Sequence, residues 1–345
     1  MSHSTPSPAL LHVSNCGTPA ASAVASRLGL LEQAARDYGA AVVDIRDPAL
    51  PGELRKRHWD HALDTLVREG GNIPPLWTRA QGAPTRLIGL TWVDEYQAIL
   101  VRREDGPQEL RGLAGGRLGV PRNGQVPVDF YAGLALRGFA NGLALAGLSL
   151  DDARLVDVPI TPVAQGTDSH GREVDALLGG QVDAVFVHGI EGVLAARQAG
   201  VAALVSLGDH PDPLVRSNAM APRAITVHQA LLDAHPGLIE RYLAALIEAS
   251  RWADAHPDEA LAHFGVSGRH PLALLRQAYG QGPTRHYRPT LEAFAVDALR
   301  HHARFLETHG FIRPGLDIDA WIDPGPLQRA TRRAAHARDT SSATA

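Results

Sequence analysis

Short β-branched runs alternate with amphipathic stretches along most of the chain, and that alternation constrains the fold more than any other feature. Leu10–Val13, Ala41–Ile45, Arg86–Trp92, Gln97–Arg103, Arg154–Val158, Asp183–His188 and Ala202–Leu207 read as strands. Between them Ala20–Tyr38, Pro51–Arg68, Val128–Leu148, Glu173–Gly179 and Ile190–Ala199 read as helices. Strands separated by helices imply an α/β fold of mostly parallel sheets, with ligand loops at the strands' carboxyl ends. The 345 residues suffice for two lobes, each with a core of its own. The glycine-rich entry Leu113–Val120 marks the crossing, giving a discontinuous first lobe, 9–118 with 221–333, and a second lobe, 119–220. His228–Ala255, Pro257–Phe264, Leu272–Tyr279 and Leu291–His309 add outer helices, and residues 1–8 and 334–345 read as loose ends.

The totals exclude several classes. A net charge of −4 gives no basic footprint for nucleic acid. A single cysteine excludes an internal disulfide and any cysteine-rich metal site. No apolar run approaches the length needed to span a bilayer, and the first eight residues carry neither Lys nor Arg, so a cytoplasmic protein that binds no membrane is expected.

Cys16 follows the first strand and precedes Thr18-Pro19, a helix-opening pair. A helix N-terminus there would favour thiolate over thiol. The stripe Trp59, Ala62, Leu63, Leu66 and Val67 carries the helix Pro51–Arg68, which Gly70-Gly71 would end, leaving Arg68 as a cation at the helix C-terminus. His58 and His61, three apart, would share a face of it; no third ligand is identifiable and no metal is expected. His301 and His302, being adjacent, read as surface residues.

Leu113–Val120, Val174–Val187 and His235–Ala260 resemble the type II periplasmic-binding-protein-like fold, shared by sulfonate-binding proteins and thiamine-pyrimidine synthases. Within it, Ser14-Asn15-Cys16, His58, Arg68-Glu69-Gly70-Gly71-Asn72-Ile73-Pro74-Pro75-Leu76 and Thr85–Gly89 resemble the 2'-hydroxybiphenyl-2-sulfinate desulfinases of dibenzothiophene desulfurisation. The resemblance implies a cofactor-free, monomeric hydrolase that cleaves an aromatic carbon–sulfur bond, releasing arene and sulfite. It assigns catalysis to Cys16, His58 and Arg68. Arg68 would offer a planar fork to two sulfinate oxygens, with Gly70 and the Gly71 N–H beside it. Cys16 would act either as a nucleophilic thiolate or as a thiol that protonates the ring carbon.

Trp59, Trp92, Phe186 and His188 are expected to bind the substrate, with Trp77, Phe130 and Tyr131 as further aromatics near the cleft. The residues after His58 depart from the family pattern, so the preferred ring system is expected to differ from hydroxybiphenyl. The alternative is a non-catalytic binding protein for a sulfonate-like anion.

Overall fold

The computed structural model describes residues 9–15, 20–160, 170–262, 270–280 and 285–342. Its strands form two sheets. The first runs β11(Arg285–Thr290)-β4(Thr85–Val93)-β10(Arg223–His228)-β3(Leu66–Gly70)-β1(Ala9–Asn15)-β2(Ala40–Asp44). In it β1 is parallel to β2 and β3, while β10 lies antiparallel between β3 and β4. The second sheet runs β7(Arg154–Pro159)-β6(Arg117–Arg122)-β8(Ala184–His188)-β5(Gln97–Arg102)-β9(Val201–Ser206), with β5 antiparallel to both neighbours. The chain adopts the expected α/β class, but its sheets are mixed and not mostly parallel: four of the strand pairs among the described residues are parallel and five antiparallel.

The chain passes from one sheet to the other between β4 and β5, at Asp94–Tyr96, and returns between β9 and β10. The outward crossing therefore precedes the boundary expected after Leu118, because β5 pairs with β8 and β9. The two crossings are tied together by buried bonds. Arg216 Nε is 3.0 Å from Asp94 Oδ2, and Gln97 Nε2 donates to the Arg216 carbonyl at 2.8 Å. Asn218 Nδ2 donates to Glu95 Oε1 at 3.0 Å.

Several elements differ from their sequence reading. Ala20–Tyr38 is two helices, α1 (Ala21–Arg27) and α2 (Leu30–Arg36), because Gly29 takes φ +72° between them. Pro51–Arg68 is not one helix. It gives two single turns, α3 (Gly52–Arg55) and α4 (Arg57–Asp60); His61 then turns the chain with φ +53°, and β3 begins at Leu66. The apolar pair Leu66-Val67 belongs to a strand buried on both faces, which periodicity alone cannot tell from a helix stripe. The tail expected to be loose from Ala334 is helical from Gly325 to Ser342, and the expected loose segment 1–8 lies outside the described residues. His302 is buried within the helix Ala293–Thr308 and is not a surface residue, while His301 Nδ1 lies 2.7 Å from Arg137 Nη2.

The core between the sheets is closed by α6 (Phe130–Ala144), whose glycines admit neighbouring side chains. A Cβ on Gly138 would lie 2.1 Å from the Phe186 ring. Gly138→Ala is expected to cost about 1–3 kcal/mol, the usual penalty for overpacking, read as a lower urea midpoint.

Both His302 nitrogens lack a hydrogen-bond partner among the described residues, and burial holds its pKa well below the ordinary imidazole value. Protonation thus favours the unfolded chain, and stability contributed above about pH 6.5 is lost as pH falls below it. His302→Leu is expected to leave stability at pH 7 nearly unchanged and to shallow the loss below pH 6.5, measured by urea unfolding across pH.

Candidate active site

Strand β3 carries Arg68 and Glu69 side by side, 3% and 0% exposed. Successive side chains on a strand point to opposite faces, so each has its own surroundings. Arg68 Nη1 donates to the Gly71 carbonyl at 2.9 Å, and its Nε donates to the His58 carbonyl at 3.2 Å. These bonds fix the plane of the guanidinium and bring His58 and Gly71 to it. Arg68 is therefore a buried strand residue, not the expected cation at the end of a helix.

Gly71 stands where no side chain fits. A Cβ there would lie 2.8 Å from the Ala219 carbonyl oxygen and 3.3 Å from both Met220 Sδ and Phe130 Cε2. The next residue, Asn72, anchors the turn: its N–H donates to the Ala219 carbonyl at 2.8 Å, and its Nδ2 donates to the carbonyls of Asn218 and Pro222 at 2.9 and 3.0 Å. Gly70-Gly71 thus ends a strand and lets lobe-crossing backbone approach.

His58 lies half-buried in α4, its ring centroid 4.9 Å from that of Trp59. Its Nδ1 is 2.7 Å from the Arg55 carbonyl oxygen. A carbonyl only accepts, so Nδ1 carries the proton and Nε2 is left as an acceptor. Burial, aided by the charge of Arg68, lowers the His58 pKa to about 4 despite the opposing pull of the Arg55 carbonyl. His61 does not share a helix face with His58. It points inward, with Nε2 2.9 Å from Thr226 Oγ1, and burial lowers its pKa to about 3. Among the described residues no group of three or more His, Cys, Asp or Glu is arranged to hold a metal ion.

Glu69 on the other face is a residue the sequence reading passed over. Its Oε1 accepts from the Ala21 N–H at 3.3 Å and from Thr91 Oγ1 at 2.5 Å, and its Oε2 accepts from the Ser22 N–H at 2.7 Å. The N-terminus of α1, expected to favour a thiolate, is already occupied by a carboxyl group. Cys16, Thr18 and Pro19 lie outside the described residues.

The expected substrate-binding aromatics separate into two groups. Trp92 and Phe186 belong to the buried core, where Trp92 Nε1 donates to Asp94 Oδ1 at 2.7 Å and Phe186 packs on Gly138. Trp59 stands against His58, and Phe130 against Gly71 with Tyr131 edge-on at 5.7 Å. His188 ends β8 with Nδ1 3.2 Å from Glu95 Oε1.

No protein-family model matches the chain. It is 26% identical to the 2'-hydroxybiphenyl-2-sulfinate desulfinases of Rhodococcus erythropolis and Rhodococcus qingshengii, over 94% of this chain and 94% of each relative. A crystal structure of a cysteine-to-serine variant of DszB in complex with biphenyl-2-sulfinic acid matches with a TM-score of 0.72 at 24% identity, covering 94% of this chain and 99% of that one. The periplasmic sulfonate-binding protein SsuA from Methylobacillus flagellatus KT matches with a TM-score of 0.73 at 15% identity, over 95% and 96% of the two chains. The fold is thus of the type II periplasmic-binding-protein-like class. Within that class, the resemblance of this chain to the 2'-hydroxybiphenyl-2-sulfinate desulfinases extends along nearly its whole length.

Arg68→Lys is expected to lower kcat/KM for an aryl sulfinate roughly tenfold to hundredfold, since an ammonium cannot hold two carbonyls and present a planar fork. Steady-state kinetics check this; unchanged kinetics would leave Arg68 a purely structural cation.

Proposed function

We propose that the protein is a desulfinase that hydrolyses the carbon–sulfur bond of an aromatic sulfinate, giving the arene and sulfite. The observation that carries this reading is the buried Arg68 guanidinium, held between the His58 and Gly71 carbonyls, on a chain that resembles desulfinases over 94% of its length. A permanently charged, desolvated guanidinium suits an anion with two oxygens on one sulfur. In this reading Arg68 and the Gly71 N–H hold the sulfinate, with Gly70 beside them, and Trp59 lies along the ring. The sulfonate-binding proteins share the fold alone.

Of the two roles for Cys16, the surroundings of His58 and Glu69 support the proton donor. Moving a proton from a thiol of ordinary pKa, about 8.5, to an imidazole of pKa about 4 is uphill by roughly 6 kcal/mol. The Glu69 carboxyl on α1 removes the helix terminus as a source of thiolate stabilisation. In this reading Cys16 stays a thiol, with His58 to orient it. The thiol proton passes to the ring carbon that bears sulfur, and a C–H bond forms. The C–S bond breaks, its electron pair restores the aromatic ring, and sulfur dioxide departs. Water adds to sulfur dioxide to give bisulfite and returns a proton to Cys16. No cofactor enters this balance.

The same reading takes the protein as a cytoplasmic monomer in dibenzothiophene desulfurisation. Its lobes are built on the two sheets, 9–95 with 221–333 and 96–220.

The test is sulfite release from a panel of phenyl, biphenyl and alkyl sulfinates. Aryl sulfinates are expected to be turned over in preference, and Cys16→Ser to abolish turnover while substrate still binds. Turnover by Cys16→Ser would remove Cys16 from the mechanism, and sulfonate binding without turnover of any sulfinate would establish the binding-protein alternative.

A further inference from the structure

The chain between β2 and β3 carries His58, and it lies almost wholly at the surface. From Arg46 to Thr65 every residue is exposed or half-buried except His61, which is 2% exposed. Its helices α3 and α4 are four residues each, too short to hold themselves together in water. The stretch therefore takes its position from what it is fastened to. Arg68 Nε donates to the His58 carbonyl and His12 Nδ1 lies 2.7 Å from Thr65 Oγ1, both part-exposed, whereas the bond between His61 Nε2 and Thr226 Oγ1 is fully buried. A hydrogen bond shielded from water is the one whose loss costs most.

Two further observations single out His61. Its backbone adopts φ +53° and ψ +26°, the left-handed conformation in which glycine or asparagine sits at less cost, so the turn alone does not call for an imidazole. Its partner is also in register with Arg68: Thr226 on β10 pairs across the strands with Arg68 on β3, which puts both side chains on one face of the sheet. The ring of His61 thus reaches the face that carries Arg68, and burial, reinforced by the Arg68 charge, keeps it neutral there. The anchor adds no second cation to that face.

We propose that His61 is a positioning residue, docking the turn that carries His58 onto the sheet at Arg68 through its bond to Thr226. The role given to His58 rests on the desulfinase reading above; the anchoring itself does not. Arg68 has its own bond to the Gly71 carbonyl, so loss of the anchor displaces His58 and leaves the anion's partner in place. A displacement of about 1 Å in such a group costs roughly a hundredfold in rate.

The experiment has two arms, run on the wild type, His61→Gly, Thr226→Val and Thr226→Ser. Lys56, the chain's only lysine, stands exposed between α3 and α4, so a protease that cuts after lysine reads this stretch at a single bond. Cleavage needs local opening, and it is expected to quicken roughly tenfold in His61→Gly and Thr226→Val, with Thr226→Ser close to the wild type. Equal cleavage in all four would overturn the anchor. In the second arm, kcat for biphenyl-2-sulfinate is expected to fall roughly tenfold to hundredfold in the same two variants, with KM little changed and Thr226→Ser restoring the rate. Unchanged kcat in a variant that is cut faster would overturn the positioning role, as would a loss of kcat that merely follows the folded fraction seen by circular dichroism. Should His61→Gly fail to fold, the Thr226 pair decides the matter, since valine removes only the hydroxyl and serine keeps it. Absence of sulfite from every enzyme, the wild type included, would overturn the desulfinase reading, and the cleavage arm would still decide whether His61 is the anchor.

Discussion

A strand buried on both faces that carries an arginine followed by a glutamate must find partners for both, because an unpaired charge in the interior is prohibitively costly. Strand β3 meets that demand in opposite directions. Arg68 reaches forward to the carbonyls of Gly71 and His58, and Glu69 reaches across to the first turn of α1 and to Thr91 on β4. Satisfying the arginine draws α4 and the Gly71 turn to one place. Satisfying the glutamate fixes the start of α1. The candidate site follows from solving this one electrostatic problem.

The same economy extends through Asn218. Its side chain donates to Glu95, its Oδ1 accepts from the Met220 and Ala221 N–H groups, and its carbonyl accepts from Asn72. Polar groups at the two crossings are thus satisfied by each other, and the Gly71 turn of one sheet is linked through bonded atoms to the strand ends of the other. Buried polar networks of this kind specify a single arrangement when all members are paired. Here Glu95 Oε2 is left without a partner among the described residues.

Much of this was legible in the residues. Alternating strand and helix signals give the α/β class, and the motif around Arg68-Glu69-Gly70-Gly71 marks the region where His58, Arg68 and Gly71 meet. What failed did so for physical reasons. Leu66-Val67 continues a helical stripe from Trp59, and nothing local shows that His61, a non-glycine residue, adopts the left-handed conformation that breaks it. Trp92 and Phe186 look like pocket aromatics, but only the packing against Phe294 and Gly138 reveals that they fill the core. Glu69, Glu95 and Asn218 act through partners from 22 to 146 residues away, a distance no spacing rule covers. For Glu69 the one available signal was a carboxylate close behind the apolar pair Leu66-Val67, and it was masked by the helical reading of that stretch.

In the proposed reaction a ring carbon exchanges sulfur for a proton while water supplies the third oxygen of sulfite. Turnover of an aryl sulfinate in deuterium oxide, with mass analysis of the arene and parallel quantitation of sulfite, tests it directly. One deuterium at the carbon that bore sulfur and one sulfite per arene released are expected. Stable binding of the sulfinate with neither arene nor sulfite formed would contradict it.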